Sequence, residues 1–176
     1  MNAKSTKTFL FFEDFEEYNT GVLDGQGGWE EEGDTQNFEV ATDEAKTGDK
    51  AVRVNAEVGI NKTISIPSDT GFALRSYVFG HALYHRTYVA IQEDSEEIIG
   101  FALGGGGHVF YVNKDGWTNS DVPYSNNNWY KIEQWISGSG GLTKLFVNDV
   151  EQIHDADGKT YSNPNKIRMW MTRYES

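Results

Sequence analysis

Trp129-Tyr-Lys-Ile-Glu-Gln-Trp-Ile-Ser-Gly-Ser-Gly-Gly-Leu-Thr-Lys-Leu-Phe-Val-Asn-Asp149 reads as a strand, a glycine-rich reversal and a second strand that ends on an Asn-Asp turn. Trp129 to Ser137 and Thr143 to Asn148 combine aromatic and β-branched residues with alternating polarity, the pattern of a half-buried strand. Gly138-Ser-Gly-Gly141 and Asn148-Asp149 reach positive φ at little cost, so the chain can double back at both places. Successive side chains of a strand point to opposite faces. Tyr130, Ile132 and Ile136 with Thr143, Leu145 and Val147 therefore form a core face, and Lys131, Glu133 and Trp135 with Lys144, Phe146 and Asn148 point the other way.

The same texture extends in both directions. Strand-like runs are predicted at Thr8 to Phe15, Asn37 to Ala41, Ala51 to Asn55, Asn61 to Ile66, Gly71 to Phe79, Arg86 to Gln92, Glu97 to Leu103, His108 to Asn113, Val150 to His154 and Lys166 to Thr172. Between them lie turn signals such as Gly48-Asp49, Asp115-Gly116 and Asn126-Asn127-Asn128, and Gly104-Gly-Gly-Gly107 suits a tight hairpin. No window carries a helical apolar stripe, and Asp43 to Lys46 amounts to a turn at most. About a dozen short strands without repeats or linkers predict one all-β domain over residues 1–176, a two-sheet antiparallel β-sandwich.

Composition narrows the function. Lys and Arg number 15 against 27 Asp and Glu, a formal charge of −12, which repels phosphate backbones and anionic headgroups. Nucleic acid is therefore not an expected partner, and no run is long enough for membrane insertion. The absence of cysteine removes disulfides, thiolate zinc sites and thiol nucleophiles together. The apolar run nearest the N-terminus, Phe9 to Phe12, is too short for a signal-peptide core, so no export signal is expected.

Three segments resemble the laminin-G-like or concanavalin A-like jelly rolls found in lectins, glucanases, carbohydrate-binding modules and phage virion proteins. They are Phe12-Glu-Asp-Phe-Glu-Glu-Tyr-Asn-Thr-Gly-Val-Leu-Asp-Gly-Gln-Gly-Gly-Trp29, Thr47-Gly-Asp-Lys-Ala-Val-Arg-Val54, and Trp129-Tyr-Lys-Ile-Glu133 followed by Leu145-Phe-Val-Asn-Asp149. The resemblance implies a concanavalin A-like jelly roll and leaves the function open, because the fold hosts enzymes, lectins and inert modules. Domains of this family often close on an aspartate-bearing strand that pairs with the first, whereas this chain closes on Met171-Thr-Arg-Tyr-Glu-Ser176, a departure from what a calcium site with ligands from both ends would need.

Catalysis finds little support. The acidic clusters Glu30-Glu-Glu-Gly-Asp34 and Glu93-Asp-Ser-Glu-Glu97 lack the alternating strand spacing that sets an acid and a nucleophile about a glycosidic bond. Gln152-Ile-His154 matches a triplet of the family's alginate lyases, but the closing strand lacks their tyrosine signature, so the match reads as chance. His81, His85, His108 and His154 have no zinc spacing.

Binding is the stronger expectation. Outward positions hold Arg75, Tyr77, Arg86, Tyr88, Trp135, Phe146 and Trp170, a set of rings and guanidinium groups that suits either a sugar or a protein contact. Trp117 and the Tyr84-His85 pair are expected near loop tips, with Trp117 as a further contact. Glu13, Asp14, Glu16 and Glu17 form either a solvated acidic patch or oxygen ligands for a structural calcium ion, and no cofactor is required. The expected role is a non-enzymatic virion decoration or attachment protein, made in the cytoplasm, shown on the virion surface, and partnered by capsid protein or by further copies of itself. The alternative is an extracellular carbohydrate-binding module for a polysaccharide, and after it a lyase or glucanase.

Overall fold

The computed structural model describes residues 10–173 apart from 34–35, 44, 56, 68–69 and 81–84. His81, the loop-tip position expected for Tyr84, and residue 44 of the Asp43 to Lys46 turn lie outside the described residues. The strands are β1 Gly21–Val22, β2 Trp29–Glu31, β3 Phe38–Ala41, β4 Ala51–Val54, β5 Gly59–Thr63, β6 Phe72–Gly80 and β7 His85–Glu93, then β8 Glu96–Gly104, β9 His108–Asn113, β10 Gly116–Pro123, β11 Asn128–Ile136, β12 Leu142–Val147, β13 Val150–Asp157 and β14 Lys166–Arg173. No helix occurs among the described residues.

These strands assemble into a seven-stranded sheet of order β10-β9-β8-β7-β14-β5-β2, a four-stranded sheet of order β13-β12-β11-β6 and a small β1-β3-β4 sheet. Every pairing is antiparallel. One face of each large sheet contributes to a single apolar core. Ile60, Val89, Ile91, Phe101, Tyr111 and Ile167 come from the seven-stranded sheet, and Phe72, Leu74, Val78, Ile132, Leu145 and Val147 from the four-stranded one. The alternation read from the sequence supplies Ile132, Leu145 and Val147 among these residues, and the opposite parity of their strands is left on an outer face.

A buried amide joins the layers. The β8–β9 ladder runs from Gly104↔His108 to Phe101↔Tyr111 and stops there. Beyond that point Gln134, fully buried on β11, inserts its carboxamide. Its Oε1 accepts from the Gly100 amide at 2.8 Å and the Val112 amide at 3.4 Å, while Nε2 donates to the Val112 carbonyl and to Thr143 Oγ1. Every donor and acceptor of the side chain is thereby used, which is what makes a buried amide tolerable. The same side chain locks β11 between Glu133 and Trp135, whose side chains point outward.

Two expectations need correcting. The described part of Thr8 to Phe15 is not a strand: Glu13 Oε1 accepts from the Phe15 amide at 3.2 Å, Asp14 Oδ1 accepts from the Glu16 amide at 3.2 Å, and Phe15 has φ 64°. Local bonds of this kind take the backbone away from a ladder. In the other direction, Gly116–Pro123 is a full edge strand, although its polar sequence shows no strand pattern. In the turn before Trp29, Gly27 sits at φ +56° with no room for a Cβ against the Tyr18 ring.

Candidate functional site

The outer face of the four-stranded sheet is a grid set by register. On β11, Glu133 lies across from Arg75 of β6 on one side and Phe146 of β12 on the other. Trp135 lies across from Ala73 and Lys144, and Lys131 across from Tyr77. Ala73 is too small to cover the indole beside it, and Trp135 keeps 39% of its surface exposed, close to the 41% of Tyr77. Glu133 is the reverse case, a carboxylate on an outward position that is only 7% exposed.

What buries Glu133 also holds it. Arg75 Nε donates to Oε2 and the Trp135 indole N–H donates to Oε1. The bond that Arg75 donates to Glu133 holds its guanidinium above its ordinary pKa, so it stays charged. Lys131 pairs with Asp149 at the turn between β12 and β13. Arg75, Lys131, Glu133, Trp135, Phe146 and Asp149 line a recess of about 210 Å³. The Trp135 and Phe146 rings stand 6.0 Å apart at 48° along its flank.

Arg75, Tyr77, Trp135 and Phe146 of the predicted set are therefore brought together. Arg86, Tyr88 and Trp170 are not among them, because β7 and β14 belong to the seven-stranded sheet and face out on the other side of the sandwich. Nor are their rings exposed. Trp170 pairs directly with Tyr88, the two rings stack at 4.6 Å with 2° between planes, and they retain 9% and 8% of their surface. The small side chains of Ala90 and Ala102, in the same cluster, let the rings lie flat on the sheet.

Trp117 is not at a loop tip. It lies on β10 opposite Val112 and packs edge-on against Tyr88 at 5.0 Å and Trp170 at 5.8 Å. The Arg86 guanidinium lies 5.0 Å over Phe110, and that of Arg168 lies 4.7 Å over Trp170. This second face is a closed aromatic layer with cationic edges.

Sequence reasoning passed over Glu133, Lys131 and Asp149. Glu133 has the outward parity beside Trp135, which is a usable signal, but only the β6–β11 register shows that it meets Arg75. His154 lies one strand further along the same sheet, against Glu151, with Nε2 at 2.9 Å from Asp155 and Lys144 Nζ at 3.2 Å from Nδ1.

In the N-terminal strap, residues 10–20 ahead of β1, Glu13 turns inward. Lys62 Nζ donates to its Oε2 at 3.0 Å, and the Tyr18 hydroxyl and the Trp29 indole N–H donate to the same oxygen. Burial pushes the Glu13 carboxyl up, but the bonds from Tyr18, Lys62 and the Phe15 amide together hold it below the ordinary range. Among the described residues no three acidic or histidine side chains converge as a metal-ligand set.

The fold has counterparts of known structure. A sialidase matches with a TM-score of 0.56 at 10% identity over 85% of this chain, which spans only 14% of that protein. A carbohydrate-binding module from Bacillus subtilis matches with a TM-score of 0.50 at 15% identity, over 89% of this chain and 94% of its own. The chain has a concanavalin A-like jelly-roll fold. A galectin from Caenorhabditis elegans overlaps 65% of this jelly roll and 85% of its own length at 19% identity, with a TM-score of 0.48. No protein-family model and no curated protein matches the sequence.

Proposed function

We propose that this jelly roll is a non-catalytic carbohydrate-binding module whose site is the recess on the four-stranded sheet. The observation that carries the reading is Glu133, a buried carboxylate fixed by Arg75 and by the indole of an exposed tryptophan. A pyranose presents apolar C–H faces and a rim of hydroxyls. Trp135 and Phe146 suit the first, and Arg75 with Glu133 suits the second as donor and acceptor. The long overlap with a carbohydrate-binding module adds support.

A hydrolytic role would need a carboxyl group able to give up a proton and another able to attack. Glu133 and Asp149 instead sit in ion pairs with Arg75 and Lys131. Affinity electrophoresis of the wild type and Trp135→Ala against a panel of polysaccharides tests the proposal. Retardation by at least one polymer, lost in the variant, is expected, and a wild type that no polymer retards overturns it.

The setting we propose is a virion surface, with a laminin-G-like decoration or attachment module presenting this face to glycans. A free-standing extracellular module would use the same face. Co-sedimentation with assembled capsids separates the two settings, since only a decoration protein adds to the shell.

A further inference from the structure

We infer, resting on the carbohydrate reading above, that the recess selects a neutral sugar chain and turns away uronates. Four ionised side chains line it, and they balance: Arg75 and Lys131 against Glu133 and Asp149. Each cation already has its carboxylate, Glu133 for Arg75 and Asp149 for Lys131. The next cation along the face, Lys144, lies 3.9 Å from Glu151 and 3.5 Å from Asp155. The recess thus offers no excess positive charge, and it belongs to a chain of net charge −12.

A ligand carboxylate has two ways in, both unfavourable. It can displace Glu133 from Arg75, which leaves a side chain only 9% exposed without its counter-ion, and an unpaired buried charge is strongly destabilising. Alternatively it can approach with the pairs intact and meet Glu133 and Asp149 at short range, where like charges repel across a partly desolvated space.

Hydroxyl groups face neither obstacle. Arg75 uses Nε on Glu133, and among the described residues its Nη groups have no hydrogen-bond partner, so they remain donors. Each oxygen of Glu133 has taken one hydrogen bond, from Arg75 or from Trp135, and keeps a second acceptor site. A donor next to an acceptor matches two adjacent hydroxyls, one accepting from Arg75 and its neighbour donating to Glu133. Because no ion pair has to open, such binding should be nearly independent of salt.

Affinity electrophoresis against a neutral β-glucan, a galactan and two uronate polymers, alginate and polygalacturonate, at low and high salt tests the selection. The expected result is retardation by a neutral polymer, little changed by salt, and none by either uronate. Retardation by a uronate polymer that falls about tenfold or more in affinity at high salt overturns the neutral selection and leaves the carbohydrate reading standing. No retardation by any polymer overturns the carbohydrate reading itself.

The variants Glu133→Gln and Asp149→Asn test the charge balance, the second at a solvent-exposed carboxylate where folding is not at stake. Each leaves one cation in excess and is expected to gain measurable retardation by the uronates, with Glu133→Gln also losing about tenfold in affinity for the neutral polymer. If both variants fold and neither gains affinity for uronates, charge balance is not what sets the selection.

Discussion

The two outer faces of the sandwich start from the same ingredients, aromatic rings and arginines on outward positions, and end differently. On the seven-stranded sheet Trp170 meets Tyr88 directly across the ladder, and Ala90 and Ala102 leave room for both rings to lie flat. On the four-stranded sheet Trp135 meets Ala73 and Lys144 across the ladder, neither of which carries a ring, and its N–H is held by Glu133. An outward ring becomes a second small core when register supplies another ring and small neighbours. It stays available to a ligand when register supplies a small partner and a fixed hydrogen bond.

The strongest way to break this comparison is to remove one ring from each face. Trp170→Ala should cost about 3–5 kcal/mol of stability, because it opens a cavity under Tyr88 and Trp117, and should leave unchanged the affinity of the folded fraction for any polysaccharide that retards the wild type. Trp135→Ala should do the opposite, losing glycan binding at a smaller cost of about 1–3 kcal/mol in stability, for the donor that Glu133 loses when a partly exposed ring is removed. Denaturant unfolding together with affinity electrophoresis of both variants decides it. A folded Trp170→Ala protein that no longer binds would show that the two faces are not separate in function.

The next effect belongs to the link between the faces. Gln134→Leu keeps the volume but leaves the Gly100 amide and the Val112 carbonyl and amide without their buried partner, at about 1–3 kcal/mol for each group left unsatisfied. The unfolding midpoint should fall clearly. Glycan affinity measured well below that midpoint should change little, because Glu133 and Arg75 do not depend on the amide directly. If the midpoint stays where it was, the amide does not tie the two sheets together.

Much of this was legible in the residues. The alternation in Trp129 to Ile136 and Lys166 to Thr172 assigns Trp135 and Trp170 correctly to outward positions, and the turn glycines mark the hairpins. Parity cannot say which sheet a strand joins, so Arg75 and Arg86 looked like members of one face. It also cannot say whether an outward ring is covered. Burial of Trp170 depends on Tyr88, Ala90, Ala102 and Trp117, which come from three other strands and meet only through long-range register. Gly116–Pro123 escaped notice for a related reason: an edge strand with one ladder and a solvated side needs few β-formers.

The smallest expected effect separates the layers by their response to acid. Glu13 ties the N-terminal strap to Lys62 of β5 in the seven-stranded sheet, and Glu93 at the end of β7 accepts from the Ser162 hydroxyl and from the Ser162 and Asn163 amides. Both carboxyls are held below the ordinary range. For Glu93 the bond from the Ser162 hydroxyl is the main cause, and for Glu13 burial acts in the other direction and is outweighed by hydrogen bonds. A folded-state pKa below the unfolded value means that the unfolded chain takes up protons first. The stabilisation is therefore complete above the ordinary carboxylate range and is lost as pH falls through it to the folded values. Lys62 is shifted the other way: burial lowers its pKa, the bonds to Glu13 and Tyr18 outweigh burial and raise it, and its contribution fades only at strongly alkaline pH. Thermal midpoints from neutral pH down to about pH 3 should decline in the wild type and decline less steeply in Glu13→Gln, whose amide cannot titrate, while Glu93 still contributes. Trp135→Ala should keep the wild-type slope, because its ring touches neither carboxylate. An equal slope in Glu13→Gln and the wild type would mean that the strap does not carry the acid response.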